Sequence, residues 1–310
     1  MTVRWGILGA GWIVQQATGQ ALRDAPSATV AGVAARDHER ARALNPERVH
    51  DTYEALIEDD SIDAVYIALA NDQHAPWIHR AIDTGKHVLC EKPLTLSAAD
   101  TRRAFDAANA AGVVLVEAAW SMWHPRMQRI VELASSGTIG PLRGFLGTFT
   151  FEGVPEGNYR LDPQRGGGAL LDVGVYPLHA LVSITPEQGE FESTFERTWG
   201  GLGVDLTTKA HVEMSSGLRA SVVASFEMPE AQRLVIDGEE GRVSVTDDQA
   251  FTSWREATTL QVGKHQETFA PTDAYRDMFQ AVSARIAGEE AWTLPSEASI
   301  RVATLVDALR

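Results

Sequence analysis

Val3 to Leu8 is a continuous apolar run that meets Gly9-Ala10-Gly11 and passes at once into a helix-compatible stretch, residues 12–24. A strand that runs through a glycine turn into a helix constrains the fold more than any other feature of this chain. Glycines let the chain turn sharply, and they let an anionic ligand approach backbone N–H groups at the start of a helix. A second strand over 28–35 leads into a short charged helix over 37–44, and a helix over 52–58 leads into a strand over 63–70. Helix 74–84, strand 87–90, helix 97–111 and strand 113–118 continue the rhythm. Such strict alternation predicts an α/β fold, a Rossmann-type doubly wound parallel sheet with helices on both faces. Gly9, Gly11 and the first helical residues, Trp12 and Ile13, are then the expected contacts of a bound dinucleotide. Val14 stands where a third Gly or Ala is usual, and a purely structural turn is the alternative.

After about residue 120 the alternation stops. A helix over 125–135, a strand over 142–151 and a glycine-rich stretch opening another helix precede a region from Phe191 to Phe269 that reads as strands joined by short turns. Two closing helices are expected over 274–287 and 296–309. The predicted division is a dinucleotide-binding Rossmann domain, 1–120, and a C-terminal α+β domain, 121–310, with a large, mostly antiparallel open sheet for substrate binding and dimerisation. The last helix is free in this scheme to pack back on the first domain.

With 310 residues, 44% of them hydrophobic, the chain has enough apolar material for two cores. Its formal charge of −15 opposes any sequence-independent grip on phosphate backbones, so nucleic acid is not an expected partner. Cys90 is the only cysteine, and Cys/His metal spacing is absent, so neither a disulfide nor a metal is expected. The N-terminus shows no basic n-region or cleavage site, and no uncharged stretch approaches the length of a membrane span, which together predict a cytoplasmic protein without a membrane partner.

Two stretches carry candidate chemistry. Glu91-Lys92-Pro93 follows directly on the strand ending at Cys90, at the carboxyl edge of the sheet, where open α/β sheets bind ligands, so Glu91 and Lys92 are expected to contact the cofactor. The lysines are few (Lys86, Lys92, Lys209 and Lys264), which makes Lys92 at this edge notable, although a solvated loop residue has the same spacing. In the second stretch, Gly166-Gly167-Gly168-Ala169-Leu170-Leu171-Asp172-Val173-Gly174-Val175-Tyr176-Pro177-Leu178-His179, the residues Asp172, Tyr176 and His179 share one face of a helix. Pro177 requires that helix to bend or to begin shortly before it. Oxidation of an alcohol needs a base for the hydroxyl proton, and a phenol serves only if a nearby cation lowers its pKa from about 10. Lys92 is the candidate cation, Tyr176 the acid/base, Asp172 the orienting carboxylate and His179 a further participant. Asn71 and His74 follow another strand and are expected near the cofactor, with helix capping as the alternative at Asn71. Trp120 and Trp123 offer ring walls for a small hydroxylated substrate, or core packing. Arg36 and Arg40, just past the second strand, form a candidate clamp for the 2′-phosphate of NADP, and Asp37 is the rival that favours NAD; NADP is the preferred expectation.

With these residues assembled, the sequence resembles the glucose-fructose oxidoreductase, inositol dehydrogenase and MocA (Gfo/Idh/MocA) family over its whole length, through Glu91-Lys92-Pro93 and the run from Gly166 to Asp172. Within it the sequence is similar to dimeric dihydrodiol dehydrogenases and NADP-dependent aldose (xylose) dehydrogenases. That likeness lies in Arg4-Trp5-Gly6-Ile7, Ala34-Ala35-Arg36-Asp37, Leu89-Cys90-Glu91-Lys92-Pro93 and Glu117-Ala118-Ala119-Trp120. The resemblance implies hydride transfer between a nicotinamide and a sugar or polyol hydroxyl, with Lys92, Asp172 and Tyr176 in the catalytic positions and Arg36 and Arg40 at the 2′-phosphate. Inositol dehydrogenases carry a histidine where Tyr176 stands, which speaks against inositol. The resemblance also implies a homodimer through the C-terminal sheet and, without the arm of the secreted members, free exchange of cofactor. A trans-dihydrodiol or imine oxidoreductase of the same fold, or a nucleotide-sensing regulator without catalysis, is the alternative; the retained Lys, Asp and Tyr argue against the regulator.

Overall fold

A computed structural model describes residues 1–185, 190–245, 247–253 and 255–310. It divides into two compact units, Met1–Trp120 with Asp273–Ile300, and Ser121–Thr272 with Arg301–Arg310.

The first unit holds six parallel strands, β1 (Val3–Leu8), β2 (Ala28–Ala34), β3 (Arg48–His50), β4 (Ala64–Ile67), β5 (His87–Glu91) and β6 (Leu115–Ala118), in the order β3-β2-β1-β4-β5-β6. This is the doubly wound sheet expected from the alternation. Its order reverses between β1 and β4, and the crevice beyond the carboxyl ends of strands at such a point is where ligands sit. Every residue of β4, and all of β1 but Arg4, is buried, which is why these strands read as unbroken apolar runs. β3 is absent from the sequence reading, because three residues are too few to show a period. The helices α1 (Gly19–Asp24), α2 (His38–Ala43), α3 (Tyr53–Ile57), α4 (His74–Asp83) and α5 (Ala98–Ala111) connect the strands. Asp37, Thr52 and Ser97 cap α2, α3 and α5 with side-chain oxygens that accept orphan backbone N–H groups. α1 is entered through a π-helical turn, Val14–Thr18.

The second unit begins with α6 (Pro125–Ser135), whose N-terminus is capped by the His124 ring. Its sheet has eight strands, β7 (Leu142–Glu152), β8 (Phe191–Trp199), β9 (Asp205–Met214), β10 (Arg219–Ser225), β11 (Glu227–Gly238), β12 (Arg242–Val245), β13 (Thr258–Val262) and β14 (His265–Phe269). Their order is β14-β13-β12-β11-β7-β10-β9-β8, antiparallel except between β7 and β10. The expected strand region is therefore a sheet; residues 246 and 254 within it lie outside the described residues. One further helix, α7 (Val175–Ile184), follows a π-helical turn at Leu170–Gly174. Residues Pro163–Ile184, which include Arg165 and Asp172, are long and apolar enough to cross a membrane by composition alone. However, 83% of that window is buried inside the protein, as in a core helix.

The remaining helices are α8 (Ala274–Ile286) and α9 (Ser296–Ala308), the second of which is divided between the units at Ile300. Residues 273–300 belong to the first unit. Trp5, fully buried in β1, donates its indole N–H to Ser283 Oγ at 3.0 Å, and its ring meets Phe279 edge-on at 5.6 Å between centroids. Tyr66 of β4 meets the same phenyl at 5.2 Å. The apolar side of α8 is thus the lid of the parallel sheet.

Candidate active site

In the first unit the glycine turn fits a pyrophosphate. Gly9 sits at φ +99°, and a Cβ there would stand 2.5 Å from the Ala68 carbonyl oxygen, so no side chain is tolerated. Gly11 has nothing within 4 Å of where its Cβ would point, which leaves its backbone open to close approach. Trp12 beyond it is 72% exposed and Ile13 is half-buried.

At the end of β2, the Asp37 carboxylate is committed to the protein. One oxygen accepts from the amides of Glu39 and Arg40, and the other pairs with the Arg40 guanidinium at 3.3 Å. Arg36 is exposed beside this cap. Arg40 is thus tied to Asp37, while Arg36 is exposed.

Lys92 is half-buried at the end of β5, joined to Pro93 by a cis peptide bond. Around it the chain buries two carboxylates. Glu91 accepts a 2.5 Å hydrogen bond from the Tyr66 hydroxyl, and Glu117 accepts from the Leu94 amide at 3.0 Å. Burial pushes the Glu91 carboxyl up, while the Tyr66 hydroxyl and the Lys92 ammonium oppose the shift. Tyr66 is itself pushed well above its usual range by burial and by the Glu91 charge, so it stays a proton donor. His74, expected near the cofactor, has no exposed surface; its Nδ1 lies 2.8 Å from the Pro93 carbonyl and its Nε2 3.2 Å from that of Leu69. Burial lowers its pKa, so the ring is neutral and a single N–H donates, best to Pro93. It braces the turn that carries Lys92. Asn71 is also buried, at the start of a 3-10 turn (Asn71–Gln73) leading into α4. Trp120 is 3% exposed and stacks on Tyr275 at 4.2 Å, which makes it core.

In the second unit, every residue from Gly168 to Val182 is buried except Tyr176. The helix begins two residues before Pro177, and the π-helical turn ahead of it absorbs the missing proline N–H. The phenol ring is set against Phe149 of β7 at 5.2 Å and Phe251 at 6.1 Å. Asp172, 6% exposed, lies in the π-helical turn. His179 is 1% exposed, sealed one turn beyond Tyr176, and Trp123 is 7% exposed.

Sequence reasoning missed one member of this cluster. Arg160 donates from Nε to Asp172 Oδ2 at 2.6 Å, in a pair whose side chains are 33% and 7% exposed. Burial acts to lower the arginine pKa, but the charge on Asp172 and the adjacent Tyr159 and Tyr176 outweigh it and keep the guanidinium charged. The trace of this contact in the sequence is the triple glycine, which signals a close backbone approach without saying by what.

The arrangement thus offers a nucleotide turn and a lysine beside buried carboxylates in one unit, and a phenol beside an ionised Arg–Asp pair in the other. Residues 3–118 match the oxidoreductase family with an NAD-binding Rossmann fold (GFO_IDH_MocA), and residues 127–244 match the GFO/IDH/MocA C-terminal domain. The chain is 37% identical to D-xylose 1-dehydrogenase (NADP(+)) 2 of Haloferax volcanii, over 98% of its own length and 95% of that protein's. It is 32% identical to trans-1,2-dihydrobenzene-1,2-diol dehydrogenase of Mus musculus, over 79% of this chain and 75% of the other. A 3-ketoreductase from Actinomadura kijaniata, solved in complex with NADP and TDP-benzene, shares the fold with a TM-score of 0.90 at 30% identity, covering 100% of this chain and 97% of that one. This chain belongs to the GFO/IDH/MocA oxidoreductase family and is an NAD(P)-dependent dehydrogenase or reductase.

Proposed function

We propose that the chain moves a hydride reversibly between NADP and a hydroxyl-bearing carbon of a sugar or related polyol, with Tyr176 as acid/base, Lys92 as the cation that tunes it and Asp172 as the orienting carboxylate. The observation that carries this reading is that Tyr176 alone reaches the surface in an otherwise sealed stretch of fifteen residues, 168–182. A buried phenol would pack; this one is held by aromatic neighbours and left partly open. Bound NADP supplies the hydride acceptor. In oxidation the phenolate takes the hydroxyl proton as the hydride leaves, and in reduction the phenol returns it. Asp172 cannot serve as a free base, because its buried carboxylate is engaged by Arg160. A sugar substrate is supported by the relatives named for D-xylose and for a dTDP-linked dideoxy sugar.

The test is reduced-nicotinamide absorbance on mixing the protein with NADP or NAD and a panel of aldoses, polyols, dTDP-linked sugars and a trans-dihydrodiol. Turnover of an aldose or polyol is expected. Tight cofactor binding with no turnover across the panel would favour the nucleotide-sensing alternative.

NADP is preferred in this reading because Asp37, the carboxylate that would hold an unphosphorylated ribose, is spent on capping α2, while Arg36 is exposed and available. Arg36→Ala is expected to weaken NADP binding roughly ten- to a hundredfold, the worth of a charge-assisted hydrogen bond, with NAD affected little. Titration of the two cofactors by protein fluorescence checks it, and equal losses for both would remove Arg36 from the 2′-phosphate.

The homodimer expected from the sequence has a face to use. Leu146 of β7, 38% exposed, is in register with Ser221 and Val235, and Thr148 with Val223 and Arg233, all on the side of the sheet away from Phe149 and Tyr176. Pairing of two copies through this face predicts a dimer in sedimentation that Leu146→Asp and Val235→Asp together convert to monomer.

A further inference from the structure

The loop that carries Arg160 is built with unusual care. Asn158 Oδ1 accepts from the Arg160 amide at 3.0 Å, the Arg160 carbonyl accepts from Gly168 N at 2.9 Å, and Gly167 N donates to the Asp162 carbonyl at 2.9 Å. This is what the glycine run is for. A Cβ on Gly167 would lie 2.5 Å from the Arg160 carbonyl oxygen, and Gly168, at φ +118°, would place one 2.1 Å from Asp205 Oδ1. Asp205 in turn accepts from Leu170 N at 2.9 Å and from the Thr208 hydroxyl at 2.7 Å, pinning the start of the helix. Loop and helix are therefore locked together at the point where the guanidinium reaches Asp172, and the same guanidinium lies over the Tyr159 ring at 5.2 Å.

A surface ion pair would mean little, but here the carboxylate is nearly sealed from water, where removal of its partner is costly. Asp172 stands four residues before Tyr176. A carboxylate there without its counter-charge would oppose ionisation of the phenol, since like charges at close range disfavour the second one.

We propose that Arg160 is a positioning residue of the reaction: it holds Asp172 in place as a carboxylate and cancels its charge, so that the Tyr176 phenol can ionise in the working pH range. The inference rests on Tyr176 acting as the acid/base. It adds Arg160 to the charges that act on the phenol, and explains why the loop over 158–162 is fastened to the turn that carries Asp172.

The test is the pH profile of alcohol oxidation for the wild type, Arg160→Met, Arg160→Lys and the double variant Arg160→Met with Asp172→Asn. Arg160→Met is expected to move the ascending limb about one to two pH units toward alkali, lowering turnover at neutral pH roughly ten- to a hundredfold and recovering it at high pH. Arg160→Lys restores the charge and returns most of the shift. The double variant leaves no uncompensated buried charge, so it keeps the test open even if Arg160→Met folds poorly, and has its limb back near the wild-type position despite slow turnover. NADP binding stays unchanged in all three. A wild-type limb in folded Arg160→Met, a loss that is the same at every pH, or a double variant still shifted toward alkali overturns the proposal. Tyr176→Phe is run beside them: if it abolishes the limb while Arg160→Met leaves it in place, only the role of Arg160 is lost. If the limb survives Tyr176→Phe, the acid/base reading falls and the present inference with it.

Discussion

Tyr176→Phe is expected to lower turnover by about a hundred- to ten-thousandfold, the usual worth of a positioned acid/base, while NADP binding and the melting temperature stay close to wild type. The substitution removes one oxygen and nothing else. The ring remains set against Phe149 and Phe251, so this packing is kept while the ionisable group is lost. The prediction is thus specific to proton transfer. Stopped-flow measurement of hydride transfer with prebound NADP checks it, and a Tyr176→Phe enzyme that keeps within about tenfold of the wild-type rate would show that the proton goes elsewhere.

The second large effect separates the two glycines of the nucleotide turn. Gly9→Val forces a side chain into a positive-φ position and against a main-chain oxygen that cannot step aside. Backbone strain of this kind costs about 1–3 kcal/mol before the steric contact is added, and the expected outcome is a lower melting temperature together with lost cofactor binding. At Gly11 a Cβ has nothing within 4 Å, and the backbone is not in the left-handed region. Gly11→Val is expected to leave the melting temperature alone and to weaken NADP by occupying the space the pyrophosphate needs. Calorimetry and cofactor titration on both variants give the contrast; equal stability of the two would mean that the turn is more pliable than its contacts with Ala68 indicate.

The parallel sheet was legible because a strand buried on both faces must be apolar throughout, and β1, β4 and β5 say so directly. An amphipathic helix announces that it has an apolar side but not what covers it. Nothing in residues 274–286 therefore revealed that Phe279 meets Trp5 and Tyr66 of the first unit, and the boundary at 121–310 needed the structure to correct it. At the site, Lys92, Asp172 and Tyr176 stood out because their side chains do chemistry and their spacing puts them at a sheet edge or along a helix. His74 stood out for the same reason, yet its ring is sealed between backbone carbonyls, since residue type alone does not distinguish a strut from a ligand contact. Arg160 did not stand out at all. Its link to Asp172 depends on how a loop of several short turns folds back, and that path is set by hydrogen bonds among Asn158, Asp162 and Gly168 that no periodicity encodes.

The central proposal is that Tyr176 carries the proton and that Lys92 is the cation that tunes it. It is tested most directly by a double-mutant cycle on hydride transfer with Lys92→Ala, Tyr176→Phe and both together, each saturated with NADP. The account predicts strong coupling, with the double variant about as slow as the slower single, because a cation that tunes a phenol has nothing left to tune once the hydroxyl is gone. Losses that simply multiply would contradict it, and would mean that Lys92 and Tyr176 serve separate steps.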